Sequence, residues 1–563
     1  VNAVIERKGA PTALITTAGF RDVLEIGREG RFDQYDIWLR FPKPIVPRYL
    51  RMEVPERVHF TGRTLRPLDL DAARRAVEAA VAEGAQAIAV CLLHSYRNPE
   101  HETAIGRLIG EIAPDVSVSL SCEVLAEAGE YERSCTTAIN AYTQPATARY
   151  LADLEARLAR LGFRNDILIT LSTGGITSIE TARHFPVRIM ESGPAAGAIS
   201  AAHYAVAAGL DRVVAFDMGG TTAKIALVRD GQIATTDDFE VDRTYRFKRG
   251  SGIPVRVPMV DLMEIGAGGG SVARISGTGT IQVGPDSVGA DPGPACYAQG
   301  GELPAVTDAN VALGYLDPDY FLGGTMPLDK ERAETAIARV SGPLGLDVAA
   351  AAYGIHSVVN ENMASAAKVY LAEKGEDSSR CTLFVSGGCG PVHAVDLMRR
   401  MGIGRALFPP RPGVASAFGM SVAPVSYDVS ASFRVALSAF DLPAALAKYD
   451  DLEAEARQRL PRFVPTDEVE LRRSIDLRYI GQGFQVNVPL PPAERRTPEG
   501  LREAFEEAYR QLYGRKHEDL PVELFSLRLH VHHSRAASGE RAAAPGTAEP
   551  QARSRLAFCP ITR

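Results

Sequence analysis

The segment VVAFDMGGTTAKIALVRDG, residues 213–231, decides how this chain is read. VVAFD is an apolar run ending in a carboxylate, and IALVRDG is a second apolar run closed by Asp230 and Gly231: in outline a strand, a turn and a return strand. Gly219 and Gly220 at the tip let backbone N–H groups approach an anion with no Cβ in the way. Thr221 and Thr222 add hydroxyl donors, and Asp217 is placed to hold Mg2+ through water, as suits a cation that keeps its hydration shell. Ordinary Asp/Gly turn chemistry explains the same residues as a plain hairpin. The segment alone leaves a phosphate site and a simple turn both open.

Working outward, MVDLMEIGAGGGSVARI, residues 259–275, sets Asp261 and Glu264 just before Gly268, Gly269, Gly270 and Ser271. Acidic residues beside a flexible, oxygen-lined loop suit a metal-nucleotide or a reacting carbonyl; a glycine-rich crossover with Asp261 capping a turn is the alternative. In TLFVSGGCGPVHAVDLMRRMGI, residues 382–403, a strand runs through Gly387, Gly388 and Gly390 into a helix, so glycine backbone and helix N-terminus are set to face a nucleotide. Cys389 and His393, four apart, read as a packed thiol and a capping histidine rather than a catalytic pair. VTDANVALGYL places Asp308 at a helix entry, as a metal ligand or as a cap.

The bulk numbers fit this picture. The chain has 563 residues, 45% hydrophobic and 23% charged, with a net charge of −7. That composition is ordinary for globular proteins, and the length allows about three to four domains. Basic residues are dispersed, so nucleic acid and anionic membrane are not expected partners. No apolar run is long enough to span a bilayer and the N-terminal residues lack a signal peptide's pattern, so the chain reads as cytoplasmic. Seven cysteines without a CxxC pair are expected as thiols.

Four segments are expected. Residues 1–165 alternate strand-like runs such as TALITT and AIAVCLL with amphipathic helix, an α/β pattern. Residues 166–445 hold the glycine motifs and are expected to form the central core. Residues 446–535 mix charged helix with alternating strands, an α+β region. Residues 536–563 are a low-complexity tail expected to be disordered.

Together these motifs resemble the hydantoinase A and 5-oxoprolinase family, including the ATP-using subunits of acetone and acetophenone carboxylases. TALITTAGFRDVLEIGR, EYERSCTTAINAY, ESGPAAG, FDMGGTTAK, EIGAGGGS, GADPGPACY, VTDANVALGYL and SGGCGPVHA carry the resemblance, in the family's order. It implies an α/β fold of the two-lobed actin, heat-shock-ATPase and sugar-kinase type, with an α+β C-terminal region. On that resemblance the nucleotide is held by Gly219, Gly220, Thr221, Thr222, Lys224, Gly268, Gly269, Gly270, Ser271, Gly387, Gly388 and Gly390. Asp217, Asp261 and Glu264 are the catalytic candidates, and Asp217 and Asp308 the candidate metal ligands. ATP and Mg2+ are the implied cofactors.

The implied activity is ATP-dependent activation of a carbonyl oxygen. It either opens a cyclic amide such as a hydantoin or 5-oxoproline, or prepares a ketone for carboxylation. A separate hydantoinase B-type subunit is the implied partner, in a hetero-oligomer. Family members usually begin with a further hairpin of DxGGTFTD type, and the only DxGGT here is at Asp217. The chain is therefore expected to be a fragment, or else a nucleotide-binding remnant that lacks half of the phosphate clamp. Lys224, where many relatives carry aspartate, marks a subgroup.

Overall fold

The computed structural model describes residues 1–245, 248–465, 468–533 and 554–560. The chain divides into two compact units, each assembled from separated segments. Unit 1 comprises Val1–Ser192, Thr235–Met259 and Pro424–Arg535; unit 2 comprises Gly193–Ala234, Val260–Ala423 and Ala536–Arg563. The sequence reading drew consecutive segments instead.

Unit 1 contains a four-stranded sheet in the order Arg51–Val54, Thr12–Thr17, Ala87–Cys91, Ser117–Leu120. Every neighbouring pair is parallel. TALITT and AIAVC are buried at every position, as expected of parallel strands covered on both faces. The helix Leu70–Ala82 begins where Asp69 accepts the N–H of Ala72, an N-cap, and a left-handed glycine, Gly84, turns the chain back toward the sheet. The motif EYERSCTTAINAY opens a single helix, Glu130–Arg160, whose residues from Arg133 to Gln144 are all buried. An antiparallel pair of long strands, Val425–Ala436 and Val522–His533, anchors the second sheet of this unit. Its order is Val486–Pro489, Glu470–Tyr479, Val522–His533, Val425–Ala436, Ile176–Ser178, Leu168–Thr170. The parallel pairing of Val425 with Ile176 explains the interleaving: strands far apart in sequence complete one sheet.

Unit 2 is built on a sheet ordered Gln232–Ile233, Ala223–Arg229, Arg212–Met218, Thr382–Ser386, Arg405–Leu407, with Leu262–Ile265 also paired to Ala223–Arg229. Alternation along the strands sorts two cores. Val214, Phe216, Ile225, Leu227, Leu383 and Val385 pack with Ile355, Val359 and Leu397. Val213, Ala215, Ala226, Val228 and Phe384 pack with Ala195, Ala198, Ala201 and Ala205 of the helix Ser192–Ala207. The period of two places helices on both faces, a three-layer α/β/α arrangement.

Of the tail read as disordered, residues 536–553 and 561–563 lie outside the described residues. Within 554–560, the Phe558 ring packs at a tilt against Tyr353, 5.4 Å between centroids, and Phe558 donates its N–H to Leu313 O. None of the seven cysteines is in a disulfide. Among the described residues no helix is long and apolar enough to cross a membrane.

Candidate functional site

The segment at 213–231 folds as a hairpin. Arg212–Met218 runs antiparallel to Ala223–Arg229, with Asp217 opposite Lys224 and Met218 opposite Ala223. The turn closes through Gly219 N–H donating to Thr222 O at 3.1 Å. Asp217, the penultimate residue of its strand, lies beside Ser386, its partner on the parallel strand Thr382–Ser386. Both strands deliver glycine-rich turns at their carboxyl ends, the usual place for a ligand in an open α/β sheet.

Backbone donors divide into spent and unspent groups. Gly269 N–H donates to Gly219 O at 3.1 Å, Gly270 N–H to Gly220 O at 2.6 Å, and Gly268 N–H to Ser271 Oγ at 2.9 Å. Thr307 then clamps Gly269 O through its N–H and its hydroxyl, at 2.7 and 2.9 Å. A Cβ on Gly268 would lie 2.5 Å from Gly220 O, so only glycine allows this approach. The expected flexible loop at Gly268, Gly269, Gly270 and Ser271 is a buried brace for the hairpin, with its donors already engaged. The N–H groups of Gly220 and Thr221 at the exposed tip, and those of Gly388 and Gly390, have no acceptor among the described residues. Gly387 N–H is taken by Pro412 O, and Cys389 N–H by Met218 O.

Asp217 is half-buried, and burial pushes its carboxyl above the ordinary range against the pull of Lys224. Ser416 Oγ donates to its Oδ2 at 3.4 Å. Gly197 lies so close that a Cβ there would meet the same oxygen at 3.3 Å. Ser386 and Gly197 lie in the quoted motifs SGGCGPVHA and ESGPAAG but were given no place beside Asp217, and Ser416 was not singled out; only the sheet and the helices Ser192–Ala207 and Ala415–Val422 bring the three together. Lys224 Nζ donates to Thr222 Oγ1 at 2.8 Å and pairs with the exposed Glu264 at 3.4 Å, directly opposite in the register.

The remaining candidates are engaged elsewhere. Asp261 precedes the strand Leu262–Ile265 at the end away from the hairpin tip and is ion-paired to Lys374. It therefore does not share a site with Glu264. Asp308 is fully buried, and burial raises its carboxyl. It accepts the N–H groups of Cys296 at 2.8 Å, Ala305 at 2.9 Å and Ala295 at 3.3 Å. That is the capping alternative, and it leaves the metal role without geometric support. Among the described residues no group of three or more His, Cys, Asp or Glu is arranged to hold a metal.

His393 is buried in a polar relay rather than capping a helix. Asn310 Nδ2 donates to its Nε2 at 3.1 Å, and its Nδ1 donates to Asn360 Oδ1 at 2.9 Å. His356 stacks on it at 4.6 Å and donates Nδ1–H to Asn310 Oδ1 at 2.9 Å. Burial holds both imidazoles below their usual range, His356 at about 4, so both are neutral. Burial also raises the Cys389 thiol, which removes the thiolate a nucleophile needs.

This arrangement matches known proteins over nearly its whole length. Residues 133–429 match the hydantoinase/oxoprolinase family, and residues 1–113 match the N-terminal region of that family. The chain belongs to the hydantoinase/oxoprolinase family. It is 33% identical over 540 residues to the caprolactamase subunit alpha of Pseudomonas jessenii, covering 94% of this chain and 76% of that one. It is 32% identical over 562 residues to the acetophenone carboxylase gamma subunit of Aromatoleum aromaticum, covering 94% and 75%. The crystal structure of the ATP-dependent caprolactamase from Pseudomonas jessenii superposes with a TM-score of 0.82 at 32% identity, over 95% of this chain and 78% of that one. A nucleotide-free acetone carboxylase structure superposes with a TM-score of 0.71 at 27% identity, again over 95% and 78%. The mixed α/β fold of this family member is thus that of ATP-dependent enzymes, as the resemblance implied.

Proposed function

We propose that this chain is the nucleotide-using subunit of an ATP-dependent enzyme that opens a cyclic amide, acting with a hydantoinase B-type subunit. The observation that carries this reading is the set of unspent N–H groups on Gly220, Thr221, Gly388 and Gly390, at the carboxyl ends of adjacent strands beside Asp217. Backbone donors in glycine turns suit phosphate oxygens. Braced by Gly269 and Gly270, the hairpin holds its donors in place before any ligand arrives, so little ordering is needed on binding.

Asp217, Ser386 and Ser416 offer hard oxygen donors, and a carboxyl that burial pushes upward is relieved by a nearby cation. These residues fit Mg2+ bound through one carboxylate and water. ATP with Mg2+ would supply a phosphoryl group whose charge is partly neutralised. Lys224, held by Thr222 and Glu264, sets a positive charge one residue from the turn. Phosphorylation of the amide carbonyl oxygen would convert a poor electrophile into one that water can open. Neither Asp261 nor Glu264 is given a chemical step, since both are ion-paired.

Ketone carboxylation is the second reading, favoured by the 32% identity to the acetophenone carboxylase subunit. Both are tested with the full chain and its B-type partner, scoring phosphate release with lactams, hydantoins, 5-oxoproline, and ketones plus bicarbonate. Release that depends on a cyclic amide and is lost in Asp217→Asn is the expected result. Release only with ketone and bicarbonate transfers the reading to carboxylation. No substrate-dependent release, or equal release by Asp217→Asn, sinks the proposal.

A further inference from the structure

Unit 1 contains a cleft of about 1560 Å³ that the nucleotide reading does not use. It lies beyond the carboxyl end of Ala87–Cys91 in the four-stranded parallel sheet, and Asp476, Arg478, Glu523 and Arg528 of the larger sheet form another of its walls. From Thr12–Thr17 the chain moves to one side, to Arg51–Val54, and then crosses to Ala87–Cys91 on the other. The two strands Thr12–Thr17 and Ala87–Cys91 therefore flank a switch in chain direction. Ligands in open parallel sheets bind outside the carboxyl ends of the strands at such a switch. Leu93, His94, Tyr96 and Arg97, which follow Ala87–Cys91, line the cleft, and so does Arg133 from the first turn of the helix Glu130–Arg160.

Arg133 is the unusual member. Its side chain is buried, 1% exposed, and its Nη2 donates to Leu92 O. Its Nε and Nη1 meet no hydrogen-bonding oxygen or nitrogen among the described residues, and the Cys91 thiol is the neighbour that acts most on the guanidinium. Most other arginines lining the cleft have carboxylates: Arg28 with Glu132 at 2.7 Å, Arg256 with Glu127 at 3.1 Å, Arg528 with Asp476 at 2.6 Å, and Arg434 and Arg478 both with Glu523; Arg97 and Arg249, without such a pair among the described residues, are exposed to solvent. No described carboxylate pairs with Arg133. Glu102, whose field it feels, is occupied by the N–H groups of Leu92 and Cys122 and by Ser121 Oγ. A buried cation with idle donors is costly, and proteins retain such groups where a ligand completes them.

The surroundings point to the ligand. The Tyr96 ring lies 5.3 Å from the Arg133 guanidinium, and Phe60, Phe484 and Phe525 add apolar wall. His94 has φ of +58°, a left-handed conformation uncommon for histidine, and strain of this kind gathers at ligand sites. Burial and the Arg133 charge hold its imidazole below the usual range, so it stays neutral. Arg133 is the unmatched arginine of the cleft that is buried, whereas Arg97 and Arg249 are exposed, and walls that also carry Glu130, Asp238 and Asp476 favour a ligand of low negative charge.

We propose that this cleft binds a small organic carboxylate with an apolar body, its anionic end taken by Arg133. The cleft is larger than one such molecule, which would occupy the Arg133 end. The proposal does not rest on the ATP reading, and its test needs neither nucleotide nor partner subunit.

The experiment is photolabelling of the full chain with 4-azidobenzoate, followed by peptide mapping and competition. Labels within residues 93–97 or 129–133, displaced by benzoate but not by benzamide, are the expected result. Apparent affinity should fall at least tenfold in Arg133→Met. Labels confined to other regions, equal displacement by benzamide, or no saturable labelling would overturn the proposal, and displacement by inorganic phosphate as strong as by benzoate would overturn the carboxylate assignment. If Arg133→Met does not fold, the map and competition on the unaltered chain decide alone.

Discussion

Asp217 and Gly387 approach so closely across adjacent strands that a Cβ on Gly387 would lie 2.5 Å from Asp217 Oδ1 and 2.3 Å from Met218 O. Gly387 also has φ of +84°, where a side chain is strained whatever the space. Gly387→Ala should therefore lose about 2–3 kcal/mol of stability in urea denaturation. Gly388→Ala meets nothing within 4 Å and should change stability little. Equal losses in both variants would contradict the packing described for the Asp217 end of the sheet.

Lys224 opposes the upward push that burial exerts on Asp217. Lys224→Met removes that pull and should move the carboxyl's titration to higher pH. NMR titration of Asp217, or the acid limb of a nucleotide-binding profile, reads the shift. A shift to lower pH would mean that another cation controls the site.

Burial raises Asp237 to about 6 from an ordinary value of 3.8, against the nearby Arg528. The folded state then holds this proton more tightly than the unfolded chain does, so stability falls as pH rises from about 4 to about 6. Asp237→Asn lacks that penalty. Its stability relative to the parent should rise across this window by about 1–3 kcal/mol and stay level above it, as read by urea denaturation at successive pH values. Arg528 keeps Asp476 and Glu127 as partners in the variant.

Asn310 serves both buried histidines, donating to His393 and accepting from His356. Asn310→Leu orphans one nitrogen on each ring. A loss of about 2–4 kcal/mol is expected, measured by chemical denaturation, with the helical circular dichroism retained. A smaller loss than Gly388→Ala shows would mean that the relay adds nothing.

The hairpin was legible because its signal is local. An apolar run, Asp-x-Gly-Gly-Thr-Thr and a second apolar run specify strand, turn and strand within nineteen residues, and the structure places Asp217, Gly219, Gly220 and Thr221 accordingly. What Gly268, Gly269 and Gly270 do was not legible. Glycine permits both an open loop and a tight backbone crossing, and only the partner strand decides between them. Asp308 was ambiguous for a related reason, since the backbone N–H groups that claim its carboxylate belong partly to residues 295 and 296. The interleaved units were also hidden, because strand pairing between Ile176 and Val425 leaves no trace in local composition.

The strand Val522–His533 lies between Glu470–Tyr479 and Val425–Ala436 in the larger sheet of unit 1. It is also the last of these strands to leave the ribosome. Until it emerges, its two neighbours present open edges, with Tyr427, Val429, Ile475 and Leu477 of the later core lacking their partners. Translation thus passes through a stage in which the other strands of this sheet exist while a central one is missing. Early termination before residue 533 leaves those two strand edges unpaired, the kind of surface on which another chain can add a strand.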